Sequence, residues 1–438
     1  MHFGIATKKI VPPFPTAMHG YGVRKDLFDD VNDPLTCTAL ILEESGQRAF
    51  IGAADLCTFP NDGSTPGLID RVAEKVGCPR DNVLLCASHT HGGPLTPGSG
   101  VTFRASRFAD KAFEYAEWLG EQVVAAAGEA AHRMQQGSLW IGEGKTALPM
   151  NRRPDRDGQV PNAPNPGGPV DDRMTLFALK DTSGNLASVG MRISCHPVAT
   201  GAKHLLTADY PGAWRAEFTR AFGPEVTPFF LQGAGADARP ALVAEGDHWR
   251  ALPHADLPIL GRDLLGEMLQ ILARGELREI KDLKLSGKAN TVTVPCERRH
   301  TTREDFEKLL TSEQEWVQPY AEACIQMLEA GKQIPDCVDY QVQTLWLNDD
   351  IALIGLDSEP LCGLGAKIEA AVAPKKAFVL GYVNGCISYV CDTKELKRGG
   401  YEADTWLFDL WTGPWEPGLE NIFAEGVTWR GHRPQPNF

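Results

Sequence analysis

Short apolar runs alternate with longer segments of helical period along this chain. Runs rich in Val, Ile, Leu and Phe at residues 37–44, 48–55, 82–88, 175–181, 186–194, 227–233, 288–296, 340–348, 351–357 and 377–383 predict β-strands. Residues 109–134, 211–222, 255–275 and 303–331 carry apolar positions at helical spacing, and a further helix starts near 361. The 303–331 segment predicts a solvent-facing helical hairpin. Interleaved strands and helices predict an α/β protein of layered mixed β-sheets flanked by helices. One irregular stretch, "NRRPDRDGQVPNAPNPGGPVDDR" (151–173), lies between strands, where long loops are functional or disordered. No repeat or linker divides the chain. The pattern therefore predicts one domain over 1–438 with a helical excursion around 300–335.

Composition narrows the function classes. Of 438 residues, 43% are apolar and 23% charged, as in a soluble globular protein. A formal net charge of −14 argues against nucleic acid as the main partner and gives no attraction to anionic membranes. No run of about 20 apolar residues predicts membrane insertion. The 11 cysteines follow no CxxC or framework spacing, and Cys86, Cys195 and Cys362 lie in apolar runs. They read as reduced thiols in a cytoplasmic protein. A small-molecule substrate is the expected partner.

Histidines at strand ends supply the candidate chemistry. "CASHTHGGP" (86–94) follows a strand and places His89 and His91 at i and i+2, the spacing that puts two strand residues on one face. "GMRISCHPVATG" places His196 at a second strand end, and a neutral imidazole there suits Zn²⁺. Carboxylates occur in similar places: Asp237 in "LQGAGADARP", and Asp357 and Glu359 in "IGLDSEPLCG". The alternatives are ordinary helix starts, with Ser358 as a cap before Glu359 and Asp209 as a cap before Pro211. Tyr389 and Tyr401 bracket a polar loop, where a phenol can polarise a carbonyl, donate a proton or bind a metal. No HExxH, GxSxG, P-loop or Rossmann glycine pattern is present. The residues themselves outline a His, His and carboxylate site of the kind used in metal-assisted hydrolysis.

The order of motifs adds a resemblance. "ASHTHGGP", "NRRP…DG…GPVDDRM", "CHPVATG", "LTADYPGAW", "FLQGAGADARP", "GLDSEPL" and "YVNGCISYV…GGYE" resemble, in that order, the neutral/alkaline non-lysosomal ceramidase family, with its broad bacterial branch nearest. The opening "GIATKKIVPPFPTAMHGYG" is similar too. The resemblance implies the fold of that family's N-terminal catalytic domain, and one Zn²⁺ held by His89, His196, Glu359 and Tyr389. It implies that His91 and Tyr401 polarise the substrate carbonyl, that Asp237 belongs to the catalytic turn, and that Asn151 and Arg152 face the substrate. Two departures stand out. Arg239 occupies the position of a serine that ceramidases require, and the chain has no C-terminal immunoglobulin-like domain. Arg239 cannot be a nucleophile but can grip an anion. The expectation is a zinc-dependent hydrolase acting on an amide or ester bond of a small polar substrate, anionic ones included, rather than on ceramide. A metal-dependent lyase or isomerase on a sugar acid or polyol, and an inactive metal-bearing binding protein, are the alternatives.

Overall fold

Two β-sheets lie face to face, each covered on its outer side by helices. The computed structural model describes residues 1–24, 26–98, 108–314 and 317–429. The larger sheet runs in the order Thr227–Gln232, Leu186–Ile193, Arg173–Asp181, Gln135–Lys145, His2–Lys9, Thr36–Glu44, Gln47–Ala54 and Val83–Ala87. Its first and last pairs are parallel and those between are antiparallel. The smaller sheet runs Ser286–Pro295, Cys337–Trp346, Ile351–Leu356 and Lys376–Leu380, and its last pair is parallel.

Side-chain alternation explains the layering. In strand Thr36–Glu44, Leu40 and Leu42 enter the space between the sheets, while Ala39 and Ile41 pack under the helices Thr65–Val76 and Ala109–His132. In the smaller sheet, Leu353, Phe378 and Leu380 meet them from the other side, while Ile354, Leu356 and Val379 face the outer helices. Strands buried on both faces read as continuous apolar runs, which is why their periodicity is weak.

The sequence missed the central strands His2–Lys9 and Gln135–Lys145. The first ends in two lysines and the second carries three glycines and few large apolar residues, so neither reads as apolar. The 303–331 segment forms two helices, Arg303–Leu309 and Val317–Glu329, with residues 315–316 outside the described set. They do not simply face solvent. Phe306, Tyr320, Ala321 and Cys324 are buried against Trp406 and its neighbours.

Both expected helix caps differ. Asp209 is the first helical residue rather than the cap, and its carboxylate accepts from Thr200 N and Oγ1. Before helix Cys362–Ala371 the cap position is Leu361, while Glu359 lies in a two-residue strand.

Several parallel strands end together. Val83–Ala87 leads to His89, Leu186–Ile193 to His196, Ile351–Leu356 to Glu359, and Lys376–Leu380 to Tyr382. Bridges from Cys86 to Val383 and from Gly233 to Leu380 tie the two sheets at this end. Open α/β sheets place ligands outside the carboxyl ends of their strands.

Candidate metal centre

His89 lies beyond its strand in the left-handed region, at φ 63°. Strand alternation therefore does not bring the two histidines together; a backbone turn does. Such a conformation in a non-glycine residue costs about 1–3 kcal/mol and persists where surrounding contacts enforce it. The Tyr382 ring stacks on His89 at 3.9 Å, and His89 Nδ1 lies 2.8 Å from Cys57 O. That carbonyl places a proton on Nδ1 and turns Nε2 inward.

His196 is fixed the same way. Its Nδ1 donates to Gly235 O at 3.1 Å, leaving Nε2 buried without a hydrogen-bond partner. Burial, with Arg152 adding to it, holds the imidazole neutral by lowering its pKa to about 4. The resulting Nε2 lone pair faces Glu359 Oε2 at 3.3 Å. Two electron-rich atoms at that distance repel unless a cation lies between them.

Glu359 Oε2 is also 3.2 Å from His89 Nε2 and accepts from Tyr382 Oη at 3.4 Å. Burial pushes the Glu359 pKa up, but His89 outweighs it and holds the carboxyl well below its usual range. In the metal-free chain a proton takes the place of a cation. Against the effect of burial, Cys57 and Glu359 raise His89 to about 10. The donor set of two imidazole nitrogens and one carboxylate, each fixed by a second hydrogen bond, fits Zn²⁺, and it suits Fe or Mn as well.

His91 is equally close, its Nε2 lying 3.1 Å from His89 Nε2. Burial, then His89 and His196, keep it neutral, well below its usual pKa. Cys57, His89 and His91 form a second possible ligand group, but one without a carboxylate. Gly20 permits this packing: at φ 91°, an added Cβ would sit 2.3 Å from the His91 ring.

Tyr389 pairs in parallel register with Glu359, and its ring plane is nearly parallel to that of His196 at 6.4 Å between centroids. Its hydroxyl accepts from Arg152 Nη2 at 3.2 Å. Tyr401, 45% exposed, stands edge-on to Tyr389 at 5.5 Å. Both line a cavity of about 230 Å³ together with His19, His89, His91, Glu359 and Asp409.

The other sequence candidates do not line this cavity. Both Asp237 oxygens are taken by Cys362, its backbone N–H at 2.9 Å and its thiol at 3.0 Å, so Asp237 anchors the start of the following helix. The Asn151 side chain donates to Pro169 O and accepts from Arg153 N and Asn165 Nδ2, which pins the 151–169 loop. Arg152 holds Glu402 and Tyr389. Arg239 lies over the Trp249 ring at 4.9 Å, outside the cavity lining.

Sequence reasoning missed His19, Tyr382 and Asp409. The one signal available for His19 was a scarce histidine beside the "HGYG" glycines. Tyr382 and Asp409 left no signal beyond an aromatic and an acid in apolar surroundings.

This layered α/β arrangement is the fold of the neutral ceramidase catalytic domain. Two solved structures carry this likeness. One, described as ceramidase complexed with C2, has a TM-score of 0.70 and 18% identity, covering 97% of this chain and 73% of that one. The other, neutral ceramidase from Pseudomonas aeruginosa, has a TM-score of 0.69 and 19% identity, covering 99% of this chain and 76% of its own. No family model matches the sequence. At such identities the likeness is one of fold. Among the described residues no immunoglobulin-like domain is present, and no helix is long and apolar enough to cross a membrane.

Proposed function

We propose that the chain is a zinc-dependent hydrolase that cleaves an amide or ester bond of a small polar substrate. The observation that carries this reading is the unpartnered His196 Nε2 facing Glu359 Oε2 at 3.3 Å. His89, His196 and Glu359 would hold the ion, with Tyr389 as a fourth ligand. Bound Zn²⁺ acts as a Lewis acid and lowers the pKa of its water from about 15.7 to about 7.

The chain's own groups would do the rest. His91, neutral and inside the cavity, donates a hydrogen bond to the carbonyl oxygen as charge develops there. Tyr401 donates from the rim. Each such donor is worth about 2.7–4 kcal/mol where it has been measured in other enzymes. Arg152 acts behind them, orienting the Tyr389 hydroxyl directly and the Tyr401 segment through Glu402.

Turnover of an amide and ester library is the test. Native protein should cleave at least one member with incorporation of solvent oxygen, and His91→Ala should lower turnover by about a hundredfold or more while retaining zinc. Rearrangement or proton exchange without water incorporation would contradict hydrolysis. Inertness of fully zinc-loaded protein towards the whole library would contradict it as well.

A further inference from the structure

Two guanidinium groups flank the candidate centre without a carboxylate partner among the described residues. Arg24 donates to the carbonyls of His19, His91 and Gly201, its Nε has no partner, and its Cζ lies 4.9 Å over the Tyr21 ring. Arg239 has a buried Nε without a partner, and Trp249 covers one face of its guanidinium. Tyr21 stands beside Arg24. Its buried hydroxyl also lacks a partner, and its ring meets His91 edge-on at 4.9 Å.

These groups share one neighbourhood. Arg239 follows Ala238, whose carbonyl accepts from His196 N at 3.0 Å. Tyr21 reaches the same place from the His91 side, since the His91 and His196 ring centroids are 5.6 Å apart. The nearby carboxylates are committed elsewhere. Asp209 accepts from Thr200 and Tyr210, and Glu402 is held by Arg152 and Arg153. Burying a guanidinium without a counter-charge is costly, and that cost is relieved by an anion. Tyr21 and Arg239 are both partly exposed, so such an anion can come from solvent.

We propose that Arg239 and Tyr21 form an anion-binding subsite on the His91 flank of the centre, and that the substrate carries a carboxylate a few bonds from its scissile carbonyl. With Trp249 against one face, Arg239 offers its in-plane N–H groups, a fork that matches a planar carboxylate. The Tyr21 hydroxyl adds a donor. The substrate class rests on the hydrolase reading above; the anion site itself does not.

Two measurements separate the claims. The first is calorimetric titration of succinate into metal-free full-length protein, with inorganic phosphate as comparator. Saturable succinate binding is expected, weakened at least about tenfold in Arg239→Met and about threefold in Tyr21→Phe. Thermal melts of each variant check folding, and the Tyr21 variant carries the test if Arg239→Met does not fold. No succinate binding by native protein, equal binding by the folded variants, or preference for phosphate would overturn the assignment.

The second compares the mono-4-nitroanilide of succinic acid with the 4-nitroanilide of pentanoic acid on zinc-loaded protein. The ratio of their kcat/KM values should favour the anionic substrate by at least about tenfold and fall towards one in Arg239→Met. Cleavage of both with an unchanged ratio would sink the subsite and leave the hydrolase standing. Cleavage of neither, with succinate bound as expected, would count against the hydrolase and leave the subsite standing.

Discussion

His89 and Gly20 show how single backbone positions set the site. His89 occupies left-handed φ because its ring is held between Cys57 O and the Tyr382 face. Gly20 has no side chain because the His91 ring fills the space a Cβ would need. Gly20→Ala should therefore destabilise the protein by about 1–3 kcal/mol in urea unfolding and lower turnover by displacing His91. Native-like stability and activity in that variant would contradict the packing described. His91 itself is not separated from the ligands by distance, since it is as near His89 as Glu359 is. Metal analysis of His91→Ala makes the distinction: retained zinc with lost turnover is expected of a substrate donor, whereas lost zinc would make His91 a ligand.

At the scale of elements, the segment after Asn151 and the loop through Glu402 are locked by buried ion pairs. Arg153, with its side chain 1% exposed, pairs with Glu395 at 3.0 Å and also with Glu402, which Arg152 holds from the other side. Removing one partner of a buried pair leaves a charge without compensation. Arg153→Met should cost about 3–5 kcal/mol in urea unfolding, and Glu402, left with Arg152 alone, should loosen Tyr401 and reduce turnover. A loss below about 1 kcal/mol would show that the network contributes little. These pairs join residues far apart in sequence, and nothing in "NRRP" or "GGYEAD" announces them. The strands were more legible, because runs such as "VLLCA" and "IALIGL" are apolar whatever their partners. His2–Lys9 was not, since its central place depends on pairing with Thr36–Glu44. His89, His196 and Glu359 each follow a readable strand, and that placement is what makes them candidates in the sequence. Asp237 also stands at a strand end, and the sequence gives no sign that its oxygens meet Cys362.

At the scale of the whole molecule, the folded chain buries an acid beside the candidate centre. Asp409, in the cavity wall, is raised by burial from 3.8 to about 8, with Thr405 opposing and Glu359 adding to the rise. A carboxyl with a raised folded pKa favours the native state while it is neutral. Its contribution is therefore complete below about pH 4 and is lost as pH climbs to about 8. Asp409→Asn, measured on metal-free protein, should flatten the fall of unfolding free energy across that interval. A variant that declines as steeply as native protein would contradict the assignment. The account as a whole stands on a cation between His196 and Glu359. Elemental analysis of dialysed protein tests it most directly. Native protein and His91→Ala should retain about one zinc per chain, and His196→Ala and Glu359→Gln should retain nearly none. Native protein well below one zinc per chain, or full zinc in His196→Ala, would contradict the centre proposed here.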